Sequence, residues 1–246
     1  MAYRTRKALL MQDDSGKTKG IYEEEKIMMN LNEVLSQLKK NSNPKDREGM
    51  ARFGINPEYA LGVKVPVLRD LAKKIGRKHE LAQELWKTKI HEARILAGMI
   101  EEMDKVTEKQ MEQWVNEFNS WDLCDQCCMN LFDKLPIAWK KAIEWAERED
   151  EFVRRAGFAM MACLAVHDKK ADDNAFVSFF PYIKKYSIDE RNFVKKAVNW
   201  ALRQIGKRNS ILRKEAIKLA KEIQQMNSKS AKWIANDAIR ELKTKK

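Results

Sequence analysis

A short motif recurs at a fixed spacing in the second half of the chain. Phe152-Val-Arg-Arg-Ala156 reappears as Phe193-Val-Lys-Lys-Ala197 and, more weakly, as Ile234-Ala-Asn-Asp-Ala238, so that successive alanines are 41 residues apart. A period of this length accommodates two antiparallel helices, and such units bury their apolar faces only by stacking on one another. The repeat therefore predicts an α-helical solenoid, in which a small alanine lets neighbouring helices approach closely.

The composition supports an all-α protein. Only 9 Gly and 5 Pro occur in 246 residues, helix formers recur throughout, and no segment shows the alternation that is typical of a strand. We expect a right-handed superhelical solenoid of HEAT-like antiparallel helix pairs with a concave basic groove. The expected organisation is a flexible N-terminal extension (residues 1–20) followed by a single domain (residues 21–246), with the first helical pattern starting at Ile21.

The positive charge of the chain is concentrated near its C-terminus. The net charge is +12, and residues 182–246 hold 18 Lys/Arg against 6 Asp/Glu, whereas residues 1–181 hold 30 of each. A segregated basic block favours a polyanionic partner, above all nucleic acid, although a solvated surface of a basic protein remains the alternative. No apolar run approaches the ~20 residues that cross a bilayer, so we expect no membrane partner and a cytoplasmic location.

The cysteines and histidines do not form a metal-ligand pattern. Cys124 and Cys127 form one CxxC motif with no second one to complete a zinc site, and the three histidines are scattered. We therefore expect buried thiols in a reducing compartment, no metal and no cofactor.

The stretch Asn119-Ser-Trp-Asp-Leu-Cys-Asp125 places an aromatic ring and a carboxylate on one face of a predicted helix. Trp121 and Asp125 stand at i and i+4, with Asn119 as the expected N-cap. An unpaired carboxylate is costly in a packed core, so a carboxylate beside an indole is unusual there. The alternative is that the aspartates only complement the helix dipole.

On a solenoid, the starts of successive second helices line one groove. The stretch above would then face Arg154 and Arg155, followed by Lys195, Lys196 and Trp200. Core packing is the alternative for Trp200, and phosphate contacts or internal ion pairs are the alternatives for the two arginines. The other tryptophans are expected in the core or between repeats, at positions 86, 114, 139, 145 and 233.

With these segments in place, the chain resembles the AlkD branch of the DNA alkylation repair glycosylases, from about Leu31 to Leu242. The segments that carry the resemblance are Met50-Ala-Arg-Phe-Gly-Ile55, Gly62-Val-Lys-Val-Pro-Val-Leu-Arg69, Asn119-Ser-Trp-Asp-Leu-Cys-Asp125, Val153-Arg-Arg-Ala156 and Lys196-Ala-Val-Asn-Trp-Ala-Leu-Arg203. The resemblance implies excision of positively charged N3- or N7-alkylated purines, such as 3-methyladenine and 7-methylguanine, from duplex DNA in base excision repair.

The resemblance also implies roles for individual residues. Its active-site pattern falls on Trp121, Asp125, Trp200 and one arginine of the Arg154–Arg155 pair, and a stretched segment over residues 166–191 leaves open which arginine is equivalent. We expect contacts to DNA phosphates from Lys64, Lys195, Lys196, Arg203, Lys207 and Arg208. Ser120 replaces a bulky aromatic residue that the family often has before its motif tryptophan.

Three functions are consistent with this pattern. The first is a monomeric glycosylase acting on double-stranded DNA that carries alkylated bases. The second is a catalytically silent HEAT-repeat protein that binds distorted or branched DNA. The third is a scaffold for an acidic protein partner, for which the set of Trp121, Asp125, Arg155 and Trp200 would have no use.

Overall fold

The computed structural model describes residues 8–12, 18–22 and 29–244. Strands β1 (Ala8–Gln12) and β2 (Thr18–Tyr22) form an antiparallel hairpin in which Leu10 pairs with Gly20. This hairpin corrects the expectation that the chain contains no strands and that a helical pattern starts at Ile21. The rest of the expected extension over residues 1–20 lies outside the described residues.

From residue 31 onward the described chain is helical, which confirms the all-α class. The α-helices are α1 (Leu31–Lys40), α2 (Pro44–Met50), α3 (Val65–Ile75), α4 (His79–Lys87), α5 (His91–Ile100), α6 (Glu108–Asn116), α7 (Trp121–Asn130), α8 (Ala138–Ala146), α9 (Glu151–His167), α10 (Asp173–Val177), α11 (Phe180–Tyr186), α12 (Asn192–Lys207), α13 (Ser210–Gln224) and α14 (Lys229–Thr244). Short 3-10 turns cover Ala51–Phe53, Met103–Lys105 and Phe132–Lys134. No described helix is long and apolar enough to cross a membrane.

Local sequence signals explain several helix boundaries. Asn30 caps α1 in a reciprocal capping box with Glu33, and Asn43 accepts from two backbone amides at the start of α2. The N-cap residue of α7 is Ser120 rather than Asn119, and its hydroxyl makes no capping bond. The expected cap is therefore displaced by one residue.

The helices form the two layers of a solenoid. Helices α3, α5, α7, α9, α12 and α14, here called the site layer, contact one another in that order. The helices of the other layer are joined through aromatic contacts, including the stacked rings of Trp86 and Trp114. The repeat alanines Ala156, Ala197 and Ala238 are fully buried, as the repeat predicts.

Close helix packing depends on small residues at particular places. A Cβ atom on Gly157 of α9 would lie 2.3 Å from the backbone nitrogen of Ala146 on α8, so only glycine permits this approach. Trp86, Trp114 and Trp145 are fully buried, which confirms their place in the core. Trp233 differs from the expectation, because 42% of its surface is exposed.

Candidate functional site

A charged pair between α7 and α9 lies at the centre of the candidate site. Arg155 donates from Nε to Asp125 Oδ1 at 3.0 Å and from Nη2 to Oδ2 at 2.7 Å, a bidentate arrangement. Its Nη1 donates to the carbonyl of Phe193 on α12 at 2.6 Å. One guanidinium therefore joins three consecutive helices of the site layer, and it fixes the direction of the carboxylate.

The pair is nearly, but not completely, removed from solvent. The exposed side-chain fraction is 14% for Asp125 and 6% for Arg155. Burial raises the pKa of the Asp125 carboxyl above its ordinary value, and the guanidinium of Arg155 opposes that rise. Burial would lower the pKa of Arg155, but the charge of Asp125 outweighs this and raises it. The bidentate hydrogen bonds and the positive charge of the Arg155 guanidinium favour the ionised form of this carboxylate.

The neighbouring Arg154 points away from this pair. Its Nη1 donates to Asp189 Oδ2 at 2.9 Å, its Nε donates to the carbonyl of Ala146, and its guanidinium lies 4.3 Å from the ring centroid of Tyr186. Consecutive residues of a helix project about 100° apart, which sends the two arginines to different neighbours. The alternative that the sequence left open is thereby resolved in terms of position: Arg155, and not Arg154, meets Asp125.

Trp121 forms one side of an open cavity above the pair. Its indole Nε1 donates to the carbonyl of Phe53 at 2.9 Å, and the Arg155 guanidinium lies 5.9 Å from its ring centroid. The cavity has a volume of about 630 Å³ and is lined by Ala51, Arg52, Phe53, Gly54, Trp121, Arg155, Asn192, Phe193 and Lys196. Three aromatic and three cationic residues thus surround one opening.

The turn at residues 51–54 brings a distant part of the chain into the site. Gly54 has φ +74°, and a Cβ atom there would lie 2.4 Å from Cζ of Phe193. Glycine therefore permits both the turn and its close approach to α12. Phe53, with 68% of its surface exposed, extends from this turn beside Trp121.

No functional role was assigned from the sequence to Arg52 and Phe53, nor to four further lining residues, Ala51, Gly54, Asn192 and Phe193. A signal was present for the first two, because they lie in one of the segments that carry the family resemblance. Nothing in the local pattern placed that segment against Trp121, which is 68 residues further along the chain.

Trp200 is not among the residues that line the cavity. It lies one helical turn after Lys196 on α12 and packs, partly buried, against the hydrophobic core. The structure therefore brings together Trp121, Asp125 and Arg155, and it leaves Trp200 further along the same helix face.

The lysines expected to contact phosphates differ in their surroundings. Lys196 is exposed and lines the cavity. Lys195 lies with its Nζ 5.3 Å from the ring centroid of Trp233. Lys64 is largely exposed just before α3, and its Nζ lies 3.5 Å from Oδ2 of Asp46. Lys195 and Lys196 therefore remain available for an anionic ligand, whereas Lys64 already forms an exposed ion pair with Asp46.

Arg203, Lys207 and Arg208 are placed differently from the expectation of phosphate contacts. Arg203 and Lys207 both form ion pairs with Glu241 of α14. Arg208 donates from Nη1 to the carbonyls of Ala165 and Asp168 at 2.8 Å. These cations satisfy acceptors within the protein, so they hold adjacent helices together instead of presenting a free charge.

A second buried pair lies beneath the start of α7. Nε2 of His91 is 2.8 Å from Oδ2 of Asp122, and the His91 backbone amide donates to the carbonyl of Tyr59. Burial by itself would raise the pKa of Asp122, but the hydrogen bond and charge of His91 outweigh it and hold the pKa below its ordinary value. The pair anchors the helix that carries Trp121 and Asp125.

The four cysteines are free and buried, as the sequence predicted. Burial raises the pKa of Cys127, Cys128 and Cys163 well above the ordinary value, so these thiols are protonated and unreactive. Within residues 29–244, no group of three or more His, Cys, Asp or Glu side chains is arranged to hold a metal ion.

Comparisons with known proteins agree with this architecture. The family described as "DNA alkylation repair enzyme" matches residues 34–242. A solved structure described as "A new family of proteins related to the HEAT-like repeat DNA glycosylases with affinity for branched DNA structures" superposes with a TM-score of 0.71 and 22% identity. The match covers 87% of this chain and 95% of that one. No curated protein sequence matches the chain significantly.

Proposed function

Because the chain belongs to the DNA alkylation repair enzyme family, we propose that it is a DNA glycosylase that excises cationic N3- or N7-alkylated purines from duplex DNA. The observation that carries this proposal is the Asp125–Arg155 pair, in which Arg155 holds an oriented carboxylate and itself lines an aromatic and basic opening. The substrate is double-stranded DNA with alkylated bases, and the protein acts as a monomer.

The carboxylate suits the electrostatic demands of this reaction. A cationic alkylpurine is already a good leaving group, so the base needs no protonation before it departs. Positive charge grows on the deoxyribose as the glycosidic bond breaks, and the negative charge of Asp125 lowers the energy of that transition state. Each Asp125 oxygen accepts one bond from Arg155, which leaves lone pairs to orient an attacking water.

The rings around the opening suit a cationic lesion. The exposed faces of Trp121 and Phe53 offer cation–π contacts worth about 0.5–2 kcal/mol each. Arg52, Lys196 and Lys195 lie at or beside the opening, where they would neutralise phosphates without reading sequence. Trp200 would contribute only if the DNA extends along α12 past Lys196, which makes its role secondary in this proposal.

The test is release of 7-methylguanine and 3-methyladenine from methylated duplex DNA by the wild-type protein and by Asp125→Asn. We expect base release to fall by roughly 100-fold or more in the variant, as for removal of one transition-state contact, while DNA binding is retained. Asp133→Asn is the matched control, because Asp133 is also a buried carboxylate with a basic partner, His167, but that partner, unlike Arg155, does not line the cavity. Equal loss in both variants would contradict the assigned role of Asp125.

The second candidate is a catalytically silent protein that binds branched DNA, as the description of the solved relative says of that protein. Two observations favour it: each Asp125 oxygen already accepts a hydrogen bond from Arg155, and neither Asp125 nor Trp200 is among the residues that line the cavity. Under this alternative, the wild-type protein would bind DNA in a salt-sensitive manner and release no base from either methylated substrate.

A further inference from the structure

A second basic and aromatic surface extends from the cavity toward the C-terminal helix. We propose that Trp233 is a stacking platform for an unpaired base, and that Lys195, Lys229 and Lys232 hold the phosphates of the same single-stranded segment. We call these four residues the arm surface. This inference rests on the DNA-binding part of the proposed function, but it does not require base excision.

The environment of Trp233 is the first observation. Trp86, Trp114 and Trp145 are buried, whereas Trp233 exposes 42% of its surface on the last helix of the site layer. An indole is costly to expose and common at binding surfaces, where it combines a large apolar face with a polar edge. The Nζ of Lys195, 5.3 Å from the ring centroid, places a cation directly against this ring.

The arm surface is continuous with the candidate site. Lys195 and Lys196 are adjacent on α12, and Lys196 lines the cavity that contains Trp121 and Arg155. Lys196 projects toward the cavity and Lys195 toward Trp233, so a strand that crosses α12 from the cavity toward α14 would pass Lys196, Lys195 and Trp233 in turn. The track crosses from α12 to α14, which are in contact.

Two further lysines extend the track. Lys229 lies one turn before Trp233 on α14, and it lines a depression of about 660 Å³ together with Lys232, Ile188, Glu190, Asn227 and Ser228. The carboxylate of Glu190 accepts from Ser228 Oγ at 3.2 Å. Glu190, which precedes α12, is thus held by hydrogen bonds from Ser228 and from the Ser230 amide, and not by an ion pair with Lys229 or Lys232.

The charge balance differs between the two ends of the α12–α14 contact. Near the C-terminal ends, Arg203 and Lys207 form ion pairs with Glu241, and Arg203 also forms one with Asp237. Near the N-terminal ends, and within the described part of the chain, neither Lys229 nor Lys232 forms an ion pair. Positive charge that is balanced at one end is therefore left for an anionic partner at the other.

The combination indicates single-stranded nucleic acid and not a second duplex surface. Bases in a duplex are stacked on one another and hide their faces, whereas an unpaired base stacks on an exposed ring with little sequence preference. Lysines beside the ring neutralise the flanking phosphates. DNA with a single-stranded arm next to a duplex would engage the cavity and the arm surface together.

The experiment compares affinities for a blunt duplex and for the same duplex with a short single-stranded arm carrying 2-aminopurine, measured by fluorescence anisotropy. We expect the wild-type protein to bind the armed duplex more tightly and to quench 2-aminopurine. Trp233→Ala should weaken binding of the armed duplex by about 5- to 100-fold, from the loss of one stacked base, with blunt-duplex affinity unchanged. Trp233→Phe should retain much of the preference.

The lysines are tested separately. Lys229→Gln combined with Lys232→Gln should weaken the salt dependence of armed-duplex binding, whereas Lys214→Gln combined with Lys221→Gln, on exposed positions of α13, should not. Equal affinity of the wild type for both DNAs, or equal losses on both DNAs in Trp233→Ala, would overturn the proposal. Absence of excision with the arm preference intact would refute the glycosylase function alone.

Discussion

Replacing Arg155 by methionine removes both hydrogen bonds to Asp125 and leaves a carboxylate that is only 14% exposed without its partner. Breaking a buried ion pair from one side costs about 3–5 kcal/mol, and the residual exposure of Asp125 places this case near the lower figure. We therefore expect Arg155→Met to lower the free energy of unfolding by about 3 kcal/mol. Asp125→Asn should lower the free energy of unfolding by a similar amount, because it leaves the buried guanidinium of Arg155 beside a neutral side chain.

The double variant separates the pair from the other contacts of each residue. Arg155→Met also loses the bond to the Phe193 carbonyl, but that loss occurs equally with Asp125 and with Asn at position 125. Urea unfolding of the wild type, the two single variants and the double variant gives a coupling energy, which we expect to be about 2 kcal/mol or more.

The pH dependence supplies an independent check. In Arg155→Met, burial raises the folded-state pKa of Asp125 further above its unfolded value of about 3.9, because the opposing charge is gone. The cost of burying the unpaired carboxylate is complete above the folded-state pKa of Asp125. It disappears as the pH falls toward the pKa of the unfolded state. The stability deficit of Arg155→Met should therefore shrink on acidification, and that of the double variant should not.

Arg154→Met is the matched control for function. Its ion pair with Asp189 is similarly buried but faces away from the cavity. Both arginine variants should be less stable, and only Arg155→Met should also lose base release. A coupling energy near zero, or a deficit that does not change with pH, would refute the view of Asp125 and Arg155 as a buried ionised pair.

Three further predictions concern the surroundings of the site. Gly54→Ala should destabilise the protein by more than about 1 kcal/mol in thermal or urea unfolding, because φ is +74° and the new Cβ would strike Phe193. Glu92→Gln should cost about 1.5–3 kcal/mol in the same assay, since its carboxylate accepts from three successive backbone amides that precede α3; an unchanged midpoint would contradict this. Lys196→Gln should reduce the slope of log K for DNA binding against log salt concentration by the amount expected for about one phosphate contact. Arg208→Gln should instead lower the free energy of unfolding and leave this slope unchanged.

The sequence by itself determined the architecture and the chemical components of the site. The 41-residue spacing of Ala156, Ala197 and Ala238 predicted stacked helix pairs, and all three alanines are buried where site-layer helices meet. The i, i+4 spacing on α7 likewise placed Trp121 and Asp125 near one another. Such features are local or periodic, so the backbone geometry of a helix is sufficient to derive them.

Only the tertiary structure decided which charges are free and which distant segments meet. Nothing in the sequence near Arg203, Lys207 and Arg208 shows which groups they bind. In the structure, Arg203 and Lys207 form ion pairs with Glu241, and Arg208 donates to the carbonyl of Ala165. The contact of Phe53 with Trp121 likewise joins residues far apart in the chain. Helix periodicity defines the face on which a side chain lies. The partner that it meets there depends on how successive helix pairs pack, and that arrangement results from the whole stack.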